Sequence, residues 1–268
     1  MAHQRTFSPT RLAAALLLAV AALAGCNGGG STVGEGPAAG VPMSIRIYAA
    51  AGNPLAASPL SDSAWQSAPW HTLTGALDDP RSGSATRAAM LYDSNNLYVA
   101  FICEDEKPLD SVEVWLDSTA ERDGKELVCA SAKPDGAVTA AWYRNQDPPQ
   151  PKADGSPDRE RSVRRYPDKD IPGLKASSAR GVTEGKPVWA VVVKIPLATL
   201  PAPLQTQGVV GAKWKLNLLR YDVVEHAGER PTVIQSNLAP IYRASQALSP
   251  YRMAEVELEG PGPVTAMK

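Results

Sequence analysis

Residues 111 to 117 read Ser-Val-Glu-Val-Trp-Leu-Asp. On an extended chain, alternate side chains point to opposite faces. Val112, Val114 and Leu116 then share one face and suit a core. Ser111, Glu113, Trp115 and Asp117 share the other. That second face joins two carboxylates, which accept hydrogen bonds or ligate hard cations, to an indole with an apolar body and a polar tip. The stretch is a candidate for ligand contact; the competing reading is an ordinary solvated sheet face.

Other constellations are few. His occurs three times, at 3, 71 and 226. No Gly-x-Ser-x-Gly, zinc-binding His pair or phosphate-binding glycine loop is present. The chain is therefore expected not to be an enzyme. His71, in "PWHTL", reads as a turn residue and His226, in "VVEHAGER", as a loop residue. The turn "LDSTAERDGKE" (116–126) holds Asp117, Glu121, Asp123 and Glu126. Hard oxygen donors in a loop suit Ca2+, so Asp117, Glu121 and Asp123 are candidate metal ligands. Their spacing is not that of the twelve-residue calcium loop, and a solvated acidic turn is the alternative. Cys103 and Cys129 fall in predicted strands and form either a disulfide or two buried thiols. Neither has a His or Cys neighbour at a zinc spacing.

The first residues are an address. Arg11 precedes the apolar run "LAAALLLAVAALAG", which is short for a membrane span. The run ends in "LAGC" (23–26): Leu, two small residues, Cys. This resembles the cleavage and lipidation signal of bacterial lipoproteins. It implies a signal peptide over 1–25, Cys26 as the acylated mature N-terminus, and a lipid anchor in the membrane. Asn27 follows where Asp would resemble inner-membrane retention, so the outer membrane of a Gram-negative bacterium is favoured. Residues 26–44, with "NGGGSTVGEGPAAG", read as a flexible tether.

The elements that would position these residues are strands. "SIRIYAA", "ATRAAMLYD", "NNLYVAFICED", "DSVEVWLD", "KELVCASA", "AVTAAWYRN", "ASSARGV", "KPVWAVVVKIP", "KWKLNLLRYDVV" and "YRMAEVELE" are extended runs divided by turn signals such as Asp93-Ser94-Asn95-Asn96 and "KPDG". "LATL" (197–200) reads as a short helical turn. No helix longer than two turns is expected. The pattern implies an all-β fold, an antiparallel, jelly-roll-like β-sandwich of two packed sheets over about 45–260, followed by a tail at 261–268. Residues 146–175 are rich in Pro and charge and read as a long polar insertion loop. Its "RERSVRR" (159–165) is either a docking site for a protein partner or a solvated run. The overall charge is balanced, 27 Lys+Arg against 28 Asp+Glu, which excludes an electrostatic nucleic-acid binder. Six Trp and eight Tyr against two Phe favour aromatics with polar tips, which suit binding faces as well as cores.

The order of the pieces carries a resemblance. "SDSAWQSAPWHTLTG", "LYDSNNLYVAF…ED", "DSVEVWLD", "WAVVVKIPLATL", "WKLNLLRYD", "SNLAP" and "SPYRMAEVEL" follow one another over about residues 45–260. The series resembles the carbohydrate-binding module family 9-like domains of the DOMON-like β-sandwich group. Some members bind ends of sugar chains and hold structural calcium in loops. The resemblance implies an oligosaccharide or polysaccharide as ligand, bound without cleavage. It matches Glu113 to the Glu that accepts hydrogen bonds from sugar hydroxyls. With Glu113, the candidate contacts are Trp115, Asp117, Asn217 and Tyr251. The sequence departs from the family where two tryptophans clamp the sugar: "EDEKPLDSVE" and "ASQALSPYRM" hold none there. Tyr242 and Tyr251 are the nearest late aromatics, and no Arg stands for a further sugar contact in "KELVCASA". Haem, held in some relatives through Met and His, has no matching His beside Met90 or Met253. The alternatives to glycan binding are a scaffold lipoprotein docking a partner through 146–175 and an accessory module of a glycoside hydrolase system.

Overall fold

The computed structural model describes residues 43–261, apart from 57, 62, 67, 80, 82, 146–162, 167–170, 201–208, 242, 243 and 250. The chain divides into Met1–Ala38 and Ala39–Lys268. The first unit lies outside the described residues, and with it the expected signal peptide and Cys26.

Fourteen strands form one hydrogen-bonded sheet that curls back on itself. One half contains β1 (Ser44–Ala49), β4 (Thr86–Tyr92), β5 (Asn96–Glu104), β10 (Lys175–Thr183) and β11 (Lys186–Pro196), with the short β2 (Trp70–Thr72) on β4. The other contains β6 (Ser111–Asp117), β7 (Leu127–Ala132), β8 (Val138–Asn145), β9 (Val163–Tyr166), β12 (Lys213–Val224) and β14 (Ala254–Pro261). On β12 sits β13 (Thr232–Asn237), which carries β3 (Thr74–Gly75). Neighbours run β10-β11-β5-β4-β1-β14-β12-β6-β7-β8-β9.

The β-sandwich expectation holds, with one correction to "antiparallel". β1 runs parallel to both β4 and β14, joining the first and last parts of the chain in a mixed sheet. Parallel neighbours need long connections, and β1 has them: the segment from 50 to 85 leads to β4, and β14 comes at the far end of the chain. A second correction concerns the insertion. β9 lies within the 146–175 segment and pairs with β8, so that part is ordered sheet edge rather than loop.

The local signals explain the strands. Asp93 Oδ1 accepts the backbone N–H groups of Asn95 and Asn96, each at 2.7 Å, and closes the β4–β5 turn. Gly136 of "KPDG" takes φ 83°, the left-handed conformation that glycine enters without a Cβ clash. "LAT" (197–199) forms the expected short helical turn.

The two halves meet in one core. Val112, Val114 and Leu116 face inward against Ile47, Met90, Val99, Phe101, Val191 and Val193. Burying each large aliphatic side chain stabilises the fold by roughly 1.5–3 kcal/mol. β5 is buried on both faces, which is why it reads as a continuous apolar run instead of an alternating one. Its outer side packs under Trp65 and Ala68, in and beside a single helical turn at Ser63–Gln66.

Candidate functional site

The outer face of the second half is a grid whose rows cross the strands. One row is Asn237 on β13, Leu219 on β12, Glu113 on β6, Ser131 on β7 and Thr139 on β8. On one side runs Gln235, Tyr221, Ser111; on the other runs Asn217, Trp115, Cys129, Ala141. The alternation read from the sequence is therefore correct: Glu113 and Trp115 point away from the core formed by Val112 and Val114.

Trp115 is not open, however. It is 4% exposed, and its cluster of Leu127, Cys129 and Leu219 is covered by Ile241, Ala247 and Met253. The segment after β13 folds back over the sheet here. Trp115 instead buttresses the site: its indole N–H donates to Glu113 Oε2 at 2.7 Å, and its ring lies 4.8 Å from that of Tyr143, tilted by 48°.

Asn217 is also a correction. It is fully buried and acts as a pin, donating to Ala247 O at 2.8 Å and accepting from Ala239 N at 3.1 Å. A side chain with both ends spent on backbone holds the covering segment and has no reach to a ligand. Asp117 is buried too. Its Oδ1 accepts from Thr119 N and Thr119 Oγ1 at 3.0 and 2.6 Å, and its Oδ2 accepts from Gly124 N at 2.7 Å. Asp117 thus organises the 117–124 turn.

That accounting also disfavours calcium at Asp117, Glu121 and Asp123. Asp117 points its lone pairs at N–H and O–H donors, and Asp123 forms an ion pair with Lys125 at 2.7 Å. Among the described residues no three His, Cys, Asp or Glu side chains gather as a cation site requires. Tyr251 is 72% exposed, in the turn before β14, and remains available. Tyr242 lies outside the described residues. Cys103 and Cys129 are free buried thiols in different clusters, so the bridge the sequence allowed is not made. His71 sits on β2, half-buried, and not in a turn; burial lowers its pKa from 6.5.

Glu113 remains at the centre. The residue is half-buried, and burial raises its carboxyl pKa above the ordinary 4.5 against the opposing hydrogen bonds from Trp115 and Tyr221. Burial, with the Glu113 charge second, pushes the Tyr221 phenol well above 10. A carboxylate offers about four lone-pair sites. Two donors are described on it, so it keeps acceptor capacity for a ligand hydroxyl.

Across Leu219 stands a pair that the motif search missed. Gln235 Nε2 donates to Asn237 Oδ1 at 2.7 Å, while Asn237 Nδ2 is buried with no described partner. A buried amide N–H without an acceptor costs about 1–3 kcal/mol; Asn237 is itself fully buried, so the half-buried Gln235 is the member of the pair that a ligand can meet. The signal was present in "TVIQSN": two amides two residues apart share one strand face.

Three solved structures share this architecture. A family 9 carbohydrate-binding module from Caldicellulosiruptor kristjanssonii, in complex with glucose, superposes with TM-score 0.53 at 16% identity, covering 83% of this chain and 100% of that one. A family 9 module structure from the same organism, in complex with cellotriose, gives 0.51 at 13%, covering 84% and 98%. A candidate carbohydrate-binding protein from Bacteroides uniformis ATCC 8492 gives 0.55 at 11%, covering 82% and 100%. The fold is that of the family 9 carbohydrate-binding modules. No protein-family model matches the sequence, and no curated protein does. Within this family 9 fold the chain's own candidate groups are Glu113, Tyr221, Gln235 and Asn237, with Ser131 beside Glu113.

Proposed function

We propose that the protein is a non-catalytic carbohydrate-binding lipoprotein of the bacterial envelope. The observation that carries the reading is the family 9 fold, shared with modules solved in complex with glucose and cellotriose. Support from the chain itself is the row Asn237–Leu219–Glu113, which sets the Gln235–Asn237 pair and a carboxylate on either side of one intervening strand, about 10 Å apart by strand spacing. Groups so placed receive hydroxyls on opposite sides of one sugar ring. Tyr251 supplies an exposed aromatic near the covering segment.

Such a site binds weakly alone, because it withdraws little ligand surface from water while ordering both partners. Lipidation at Cys26 compensates by holding captured glycan at the membrane, near whatever transports or degrades it. Isothermal titration of the chain from residue 41 onward against gluco-oligosaccharides tests the site. Binding is expected, with Glu113→Gln and Gln235→Ala each weakening it at least ~10-fold, the scale of one charged or buried hydrogen bond. Failure to bind any glycan would sink the reading. Radiolabelled palmitate incorporated by the whole chain and lost in Cys26→Ser tests the anchor separately.

A further inference from the structure

We propose that the ligand is an acidic oligosaccharide: a neutral end sits at Glu113 and the Gln235–Asn237 pair, and a carboxylate or sulfate further along the same chain pairs with Arg165 on β9. The proposal rests on the carbohydrate reading above and names the substrate class of that site.

Arg165 is opposite Tyr143 in the β8–β9 register. Trp142, the neighbour of Tyr143, faces the sandwich core, so Tyr143 and Arg165 lie on the outer face with Glu113. Arg165 is exposed and Tyr143 is half-buried. The Arg165 charge reaches inward over this face: it opposes the burial that raises the Cys129 thiol and the Tyr143 phenol.

No carboxylate balances it among the described residues. On this face Glu113 is engaged by Trp115 and Tyr221, Asp117 by its turn and Glu257 by Lys213. Arg81 is engaged by Asp79, Arg180 by Glu106, Arg46 by Glu259 and Arg144 by the ring of Tyr166. Arg165 instead presents a planar fork, suited to two-point contact with a carboxylate or sulfate, at the edge of a binding face.

Spacing sets the ligand's length. Arg165 is three strands from Glu113 and about four residues along, roughly 20 Å at ordinary sheet dimensions. A single sugar cannot touch both, but an oligosaccharide can. The path runs by Ser131 and Thr139, which are half-buried and exposed, and then past the Tyr143 ring, which offers a stacking surface part-way.

The test is titration of the full-length chain, in detergent, with tetrasaccharides of three kinds: neutral glucans, oligouronides and sulfated glucans. Glucuronic acid alone is the short control. At least one acidic tetrasaccharide is expected to bind about tenfold more tightly than the neutral one, the scale of one charge-assisted contact. Whether the uronide or the sulfated chain gains more identifies the anion. Arg165→Gln is expected to remove the gain and leave neutral binding unchanged; glucuronic acid is expected to bind no better than glucose. The gain should shrink as salt rises from 0.05 to 0.5 M, ~two concentrations either side of ordinary screening. Neutral chains bound as tightly as both acidic ones, or an acidic preference that survives Arg165→Gln, overturns this proposal and leaves the carbohydrate reading standing. No binding to any glycan overturns both.

Discussion

Trp115 donates its indole N–H to Glu113 Oε2 at 2.7 Å, from two residues further along the same strand face. The pair makes the tryptophan a support for the carboxylate and not a platform for a ligand. Trp115→Phe keeps most of the apolar volume under Ile241, Ala247 and Met253 and deletes the donor. The expected cost in stability is about 1–3 kcal/mol, combining a small packing change with a carboxylate left short of a partner. Glycan affinity should fall as well, because Glu113 loses its fixed orientation. Denaturant titration and calorimetry on the same sample check both, and unchanged affinity would show that Glu113 needs no such support.

Glu113 also sets a pH dependence with opposite signs for stability and for binding. Burial raises its folded pKa above the 4.5 of an exposed glutamate. Below 4.5 the group is protonated whether folded or not and costs nothing. As pH climbs through the folded pKa, the native state must carry a desolvated charge, so stability falls. Glu113→Gln is expected to flatten this part of the melting-temperature profile. Binding should rise over the same window, since sugar hydroxyls donate more strongly to a carboxylate than to an acid. Melting curves and titrations in steps from pH 4 to pH 8, roughly bracketing the carboxylate range, decide it; a wild-type profile parallel to that of Glu113→Gln would remove Glu113 as the source.

The β framework was legible because it is written in local signals. β11 and β12 occupy the runs "KPVWAVVVKIP" and "KWKLNLLRYDVV" read from the sequence, and the Asp93 and "KPDG" turns close where their residue types demand. The facing of Glu113 was legible for the same reason: period two fixes it. What covers a face is a different kind of fact. Trp115, Asn217 and Asp117 were read as open because alternation says which way a side chain points and nothing about what covers it: the segment after β13 folds over Trp115 and Asn217, and Asp117 is closed in by its own turn. Gln235 and Asn237 were passed over because their strand is short, and its pairing with β12 follows an irregular loop at 225–231. The parallel β1 was hidden for a third reason: pairing partners remote in sequence leave no periodic trace.

Arg220 shows how the strand carrying Glu113 is entered. It is fully buried at the end of the inward row that contains Leu216 and Leu218. Its Nη1 donates to Glu104 O at 2.7 Å and Thr86 Oγ1 at 3.1 Å; its Nη2 donates to Asp105 O at 2.8 Å and Asp110 Oδ2 at 3.0 Å. Asp110 Oδ1 accepts from Val223 N at 2.9 Å, tying the loop before β6 to β12. Arg220→Met leaves Asp110 buried without its cation and should destabilise by about 3–5 kcal/mol. Adding Asp110→Asn is expected to recover part of the loss, because the uncompensated charge goes with it. Urea denaturation of the two single variants and the double variant measures the coupling, and strictly additive losses would mean the two side chains do not act as a pair.

The cysteines give a last prediction. Cys103 lies on β5 in the central core, and Cys129 lies on β7 in the cluster outside the second half of the sheet. A disulfide needs Cα atoms within about 7 Å, which a layer of sheet between two thiols does not permit. Burial pushes the Cys103 thiol to about 12 and the Cys129 thiol well above 9.0, so almost no thiolate forms at neutral pH. In the chain lacking residues 1–40, which removes Cys26, neither thiol should react with Ellman's reagent until denaturant is added. Both should then react at once, and a reducing agent should leave the melting temperature unchanged. A drop in melting temperature on reduction would instead reveal a bridge, and would require β5 and β7 to be arranged differently from the register found here.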